Sequence, residues 1–149
     1  MFALALTLHL LASIVWVGGM FFAHMAMRPA LEEMLEPPQR LPLLRNILGR
    51  FFRWVWLAVI LILVTGFWIF FGVYQGQMGL YVHIMTTLGV IMALLFSFIY
   101  LVLYKRLGRA LDDGDVPTAG KNMALIRRII AINLVLGLVS SVLGVAKPF

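Results

Sequence analysis

The sequence has no cysteine and little charge. Its 149 residues include 12 basic and 6 acidic side chains, so charged residues make up 12% of the chain and hydrophobic residues 63%. The absence of cysteine excludes disulfides, thiolate copper sites, cysteine-ligated iron–sulfur clusters and covalently attached c-type haem. With a mean hydropathy of +1.02, the composition is that of a membrane protein, and the length leaves room for one helical bundle.

Four apolar runs are long enough to cross a bilayer. The first begins at residue 2, and the region 54–104 contains no Asp, Glu, Lys or Arg at all. That region is too long for one crossing, and the polar, glycine-rich stretch 75–79 divides it into two. Since backbone groups in lipid must be paired within their own segment, each run is predicted to be a helix. The sequence therefore predicts an all-α fold, a single domain over 1–149 that forms a four-transmembrane-helix bundle, with helices at about 2–27, 54–74, 80–104 and 123–146 and an amphipathic interfacial helix at 41–52.

The basic residues are confined to two of the segments between helices. Eleven of the twelve lie between helices one and two or between the end of helix three and the first two turns of helix four. By the positive-inside rule these loops, 28–53 and 105–122, are expected in the cytoplasm, with both termini outside (N-out, C-out). All six acidic residues share the two loops, which favours topology signals near anionic headgroups over a nucleic-acid-binding patch. We expect a multi-pass protein of the bacterial inner (cytoplasmic) membrane that contacts the lipid bilayer and has no nucleic-acid partner.

Two of the three histidines have matching depths on different helices. At 1.5 Å per residue, His9 lies roughly 9–10 Å and His83 about 5 Å below the outer boundary. Two imidazoles in one leaflet can hold haem b between helices one and three as axial ligands. The alternative is that each ring only hydrogen-bonds to hydroxyl or backbone groups near the interface. Residues that would support a haem are Trp16, Gly19 and Thr87.

The third histidine indicates a different kind of site. His24 lies between Met20 and Met27 at i, i+4 and i+7 spacing, on one face of the first helix. Imidazole and thioether donors suit Cu(I), although methionine is also a common filler of apolar helices. His24 is roughly 22 Å along the helix from His9, so the two cannot share a metal. No serine–histidine–acid set, paired carboxylate or phosphate loop is present, so hydrolytic chemistry is not indicated, whereas a haem-dependent membrane oxidoreductase stays open.

Short motifs add a resemblance to known families. His9 is followed by WVGGM at 16–20, and LGRFFR at 48–53 leads into VTG at 64–66. This pattern resembles the CopD (copper resistance D) family of bacterial inner-membrane proteins, as a single four-helix copy, and the resemblance implies a role in copper uptake or handling. The first helix and YVHIM at 81–85 are more distantly similar to HemJ-type protoporphyrinogen oxidases. That similarity implies b-type haem at the two outer histidines.

The sequence leaves three functions open. The leading one is a haem-binding, CopD-like membrane protein in redox or copper handling, with electron transfer or metal handling as its chemistry. The second is a HemJ-like porphyrinogen oxidoreductase. The third is a non-catalytic accessory subunit that packs on a second copy or on a larger membrane complex. Its contact surface would be the small and polar residues of helix four, which fit a tight helix–helix seam: Asn133, Gly137, Ser140, Ser141 and Gly144.

Overall fold

The described part of the chain consists of four long helices. A computed structural model describes residues 2–73 and 79–146, and within these residues there is no strand. Each helix is long and apolar enough to cross a membrane, which confirms the predicted all-α, four-span bundle. The helices are α1 (Phe2–Met34), α2 (Pro37–Gly72), α3 (Leu80–Asp112) and α4 (Val116–Ala146), with π-helical turns at Ala23–Met27, Trp68–Val73 and Ile99–Tyr104.

Helix α1 is longer than predicted. It continues past residue 27 to Met34, although Pro29 lacks an amide hydrogen and its ring clashes with the carbonyl four residues earlier in a regular helix. The π-helical turn just before the proline changes this pairing, because the Arg28 N–H donates to the Ala23 carbonyl five residues back. The helix widens there and carries on. The predicted boundary at residue 27 was therefore wrong.

Helix α2 combines two predicted helices into one. The interfacial helix at 41–52 and the span from residue 54 are parts of a single helix that begins at Pro37. Prolines are tolerated in a first helical turn, where no amide hydrogen is needed, and Glu36 before them is extended, as a residue preceding proline must be. The buried side chains continue across the predicted gap at helical spacing, so one apolar stripe docks the whole helix. These are Leu41, Leu44, Leu48, Phe52, Val55, Ala58 and Val59.

The turn between α3 and α4 is also shorter than the predicted loop. Helix α3 continues beyond residue 104 to Asp112, and α4 starts at Val116 instead of residue 123. Gly114, with φ of 71°, supplies the left-handed conformation that ends α3. Asp115 caps α4 by accepting the Thr118 N–H at 3.2 Å. The Thr118 hydroxyl and amide together hold the pKa of Asp115 below its usual range.

The two basic segments lie at one end of the bundle, here called the basic end. Arg45 of α2 pairs with Asp112 of α3 at 2.9 Å, and Arg127 of α4 pairs with Glu32 of α1 at 3.1 Å. Helices α1 and α2 pack together closely, as do α3 and α4, and α4 also contacts α1 and α2. An aromatic cluster fills the space between the pairs: Trp16, Phe52, Trp56, Phe96 and Tyr100.

Small residues of α4 pack inside the bundle. A Cβ at Gly137 would lie 2.8 Å from Val17 of α1 and 3.2 Å from Met92 of α3, and one at Gly144 would lie 3.2 Å from Met85. Asn133 is 1% exposed and donates its amide hydrogen to the Met92 carbonyl at 3.1 Å. Asn133, Gly137 and Gly144 of the predicted partner surface thus make contacts within the chain, whereas Ser141 is exposed; a partner stays a prediction. The predicted turn at 75–79 falls, apart from its last residue, outside the described residues.

Candidate functional site

His9 is half-buried on α1 and packs against α2. Its Nδ1 lies 3.1 Å from the Thr65 hydroxyl oxygen, and that hydroxyl donates its hydrogen to the Leu61 carbonyl one turn earlier. Because a hydroxyl has a single proton, Thr65 accepts from His9, so the neutral imidazole carries its hydrogen on Nδ1. Gly66 makes room for the ring, since a Cβ there would lie 3.3 Å from His9 Cε1. This tautomer leaves the lone pair on Nε2, the form in which an imidazole binds a metal.

His83, like His9, lies beside the C-terminal part of α2, but it is exposed on the surface of the bundle. Its ring packs edge-on against Phe70, with centroids 5.1 Å apart, and Thr87 donates to the His83 carbonyl within the helix at 3.0 Å. Both predicted haem ligands therefore contact α2, His9 through Thr65 and His83 through Phe70. Among the described residues, no hydrogen bond or ring contact joins the two imidazoles. A haem between them stays a prediction.

Two of the predicted supporting residues contact aromatic rings of the protein. Trp16 is 2% exposed, and its ring meets Phe96 of α3 edge-on with centroids 6.4 Å apart. Gly19 faces Phe51 of α2, since a Cβ on it would lie 2.6 Å from Phe51 Cζ. The glycine thus allows α1 and α2 to approach each other closely.

The predicted Cu(I) ligands are divided between two places. Met20 is 3% exposed and lines a small interior cavity of about 10 Å³ among aromatic side chains. His24 and Met27 instead line a cavity of about 90 Å³ between α1, α2 and α4, together with Met123 of α4. His24 and Met27 belong to the π-helical turn at Ala23–Met27, and its wider turn changes which side chains share a face with Met20. The structure therefore brings Met123 to His24 and Met27, and not Met20.

Charged side chains surround the larger cavity at the basic end. Arg28, Arg40 and Arg127 line it with one acidic residue, Glu32. The Glu32 carboxylate pairs with Arg28 at 3.3 Å and with Arg127 at 3.1 Å, so one carboxylate is shared by two guanidinium groups. The cavity lining therefore carries an excess of positive charge.

Two buried nitrogens on this cavity lining have no hydrogen-bond partner in the described part of the chain. They are Nδ1 of His24 and Nε of Arg28. A buried polar group without a partner is costly, and in native proteins it indicates a bound molecule or a functional role. The sequence pointed to His24, but no spacing relates it to Arg40, Met123 or Arg127, which come from other helices. For the two arginines the only sequence signal is the basic character of the two segments, which the positive-inside rule already explains. Met123 has no such signal.

Comparison with known proteins bears on three of the four helices, α2 to α4. A protein-family model described as copper resistance protein D (CopD) matches residues 45–147, more than half of the chain. No curated protein and no solved structure matches it. The matched residues include Met123 and Arg127 of the larger cavity, whereas His9 and His24 precede them. The similarity to HemJ-type oxidases stays a prediction.

Proposed function

We propose, because the chain belongs to the copper resistance protein D (CopD) family, that it handles Cu(I) in the cavity at the basic end of its bundle. The observation that carries this proposal is the meeting of three soft donors from two helices. The imidazole of His24 and the thioethers of Met27 and Met123 line the same cavity. Nitrogen and thioether donors favour Cu(I) over harder ions. Copper is here a cargo that the membrane protein receives or passes on.

The proposed site draws its donors from two helices. His24 and Met27 belong to α1 and follow one another closely, whereas Met123 comes from α4. A methionine side chain is flexible and polarisable, so its sulfur can adjust to an ion without backbone movement. Glu32 offsets part of the positive charge contributed by Arg28 and Arg127. A Cu(I) ion at His24 therefore adds its charge to a lining that already contains a carboxylate.

Copper titration of the purified full-length protein tests this site. Under anaerobic conditions, Cu(I) is distributed between the protein and a coloured chelator, and copper per chain is measured on the same sample. Loss of a group that hydrogen-bonds to a metal ligand weakens metal affinity by ~10–100-fold. Met27→Leu combined with Met123→Leu removes two ligands, so we expect its Cu(I) affinity to fall by about 100-fold. Met34→Leu is the matched control, because Met34 is on the same helix and 78% exposed. Unchanged affinity in the double variant would place copper elsewhere.

Haem b at the other end of the bundle is the second candidate. The observation in its favour is the Thr65 contact, which fixes the tautomer of His9 and leaves Nε2 able to bind iron. A haem bound there would supply one-electron redox chemistry, and His9 and His83 would hold it. A porphyrinogen oxidoreductase would be one use of such a cofactor. A protein that binds neither haem nor copper would favour the accessory-subunit alternative.

A visible spectrum of the detergent-purified protein, oxidised and then reduced with dithionite, tests haem directly. We expect His9→Ala and His83→Ala each to abolish haem retention, while His24→Ala leaves it intact. Thr65→Val should reduce retention without removing a ligand, because it frees the tautomer of His9. Equal loss from His24→Ala would show that His9 and His83 are the wrong pair. A colourless wild-type sample that contains copper would favour the basic-end site alone.

The proposal places the protein in the inner membrane with its basic end in the cytoplasm. The charge bias of the two segments supports this orientation under the positive-inside rule. The copper cavity then opens near the cytoplasmic surface, and His9 and His83 lie towards the outer one. Labelling of single cysteines from outside the cell would test this orientation.

A further inference from the structure

We propose that the cavity at the basic end binds a phosphate group. The inference concerns a ligand other than copper and does not rest on the copper proposal. Three kinds of observation support it: the charges around the cavity, its unpartnered hydrogen-bond donors, and its combination of a charged lining with apolar residues.

The charge on the cavity lining favours an anion. Arg28, Arg40 and Arg127 come from three different helices, and among the described residues Glu32 is the one acidic residue that lines the cavity with them. Three guanidinium groups brought together repel one another unless an anion lies between them, and a single carboxylate shared by two of them is an incomplete counterion. Arginine forks match the tetrahedral oxygens of phosphate better than any other side chain does.

The unpartnered nitrogens favour a hydrogen-bond acceptor. Arginine can only donate, so the buried Nε–H of Arg28 needs an acceptor that the described residues do not provide. The buried Nδ1 of His24 also has no partner, and it donates when it carries the hydrogen. Two nitrogens on one cavity lining, both without partners and one of them certainly a donor, fit a ligand with several acceptor oxygens. A phosphate group has that chemistry.

The size and lining of the cavity agree with a headgroup-sized ligand. At about 90 Å³, the cavity is large enough to hold several water molecules, and a phosphate group is of that size. Its other lining residues are mostly apolar and include Leu44, Leu48 and Ile130. Basic pockets between membrane helices typically hold anionic lipid headgroups. The phosphate can therefore belong to an anionic phospholipid or be free phosphate, and the test separates these sources.

His24 belongs to both proposed sites without conflict. If Nδ1 donates to the phosphate, the lone pair stays on Nε2, the nitrogen that Cu(I) would use. The anion would also neutralise the arginines that otherwise repel a cation. The two proposals stay separable, because phosphate binding is measured without copper and Met27→Leu removes a thioether but no phosphate contact.

The experiment measures lipid and phosphate binding to the full chain in mild detergent, without copper. Phosphatidylglycerol, phosphatidylcholine and inorganic phosphate are titrated separately, with native mass spectrometry as the readout. Arg40→Gln should weaken phosphatidylglycerol or phosphate binding about tenfold, as expected for a lost charge-assisted hydrogen bond. Glu32→Gln should tighten it about threefold, because the competing carboxylate is removed from two arginines. This gain cannot result from a folding defect.

Matched controls separate the cavity from general surface charge. Glu33→Gln is the control for Glu32→Gln, and Arg53→Gln is the control for Arg40→Gln. Each control makes the same charge change at an exposed residue that does not line the cavity. Neither control should change binding. Saturable phosphatidylglycerol binding that millimolar phosphate does not displace identifies a lipid, and displacement identifies free phosphate. Equal binding of both lipids with no phosphate binding, or equal effects in the controls, would overturn the proposal.

Discussion

Neighbouring glycines of α1 offer a sharp test of how the bundle is packed. A Cβ at Gly19 would lie 2.6 Å from Cζ of Phe51 and closer still to Cε1, whereas a Cβ at Gly18 would meet nothing within 4 Å. Both substitutions to alanine gain the same helix propensity, about 1 kcal/mol. The difference between Gly19→Ala and Gly18→Ala is therefore the overpacking cost alone, ~1–3 kcal/mol. We expect Gly18→Ala to be neutral or stabilising and Gly19→Ala to be less stable by that difference.

The assay is reversible unfolding of the purified protein in detergent, followed by circular dichroism. A second background makes the assignment specific: with Phe51→Ala already present, the added Gly19→Ala should have no further cost, since the ring that it contacts is gone. The coupling energy of this pair should be ~0.5–3 kcal/mol. If Gly19→Ala is as stable as Gly18→Ala in the wild-type background, α1 and α2 do not approach each other as described here.

Two further predictions concern the core and the orientation. Asn133→Ala should destabilise the bundle by about 1 kcal/mol in the same assay, because it removes the interhelical hydrogen bond to the Met92 carbonyl. Asn122→Ala is the control, because the Asn122 amide donates to the Thr118 carbonyl within its own helix. Equal losses of stability in the two variants would assign the effect to side-chain volume. Since the chain lacks cysteine, a single introduced cysteine is the one thiol of the protein that a label can reach. An impermeant maleimide added to intact cells should label Val145→Cys and not Lys121→Cys or Glu33→Cys. Labelling of Lys121→Cys from outside would reverse the orientation.

The number and type of helices could be predicted because lipid imposes them. A charge-free region such as 54–104 has to be helical and has to cross more than once. The ends could not be predicted from hydropathy, because beyond the membrane the helices continue on polar residues. The first helix was predicted to end at residue 27, yet the π-helical turn before Pro29 allows the helix to continue. In α2, the stripe that includes Leu48 and Phe52 keeps one helical spacing through the predicted break.

The candidate site could be predicted only where one helix contributes it. His24 and Met27 were identified from their spacing, and they line one cavity. Met20 was grouped with them under a regular helical period, which the π-helical turn changes. Met123 and Arg127 could not be found, because only the packing of α4 against α1 brings them to His24. For His9 and His83, the helical rise predicted comparable depths in the membrane. The direction in which His83 faces could not be predicted, because it depends on how α3 is rotated in the bundle.

The shortness of the turns has a consequence for biogenesis. Only Leu35 and Glu36 separate α1 from α2, and only residues 113–115 separate α3 from α4. The two helices of each pair also pack closely against each other. A newly inserted helix therefore finds its packing partner in the helix that precedes it in the chain. Most of the structure can then form from two helical hairpins, with little chain to search between contacts. The step left to assembly is the joining of the two hairpins, through the contacts of α4 and through the aromatic contacts of α3 with α1 and α2.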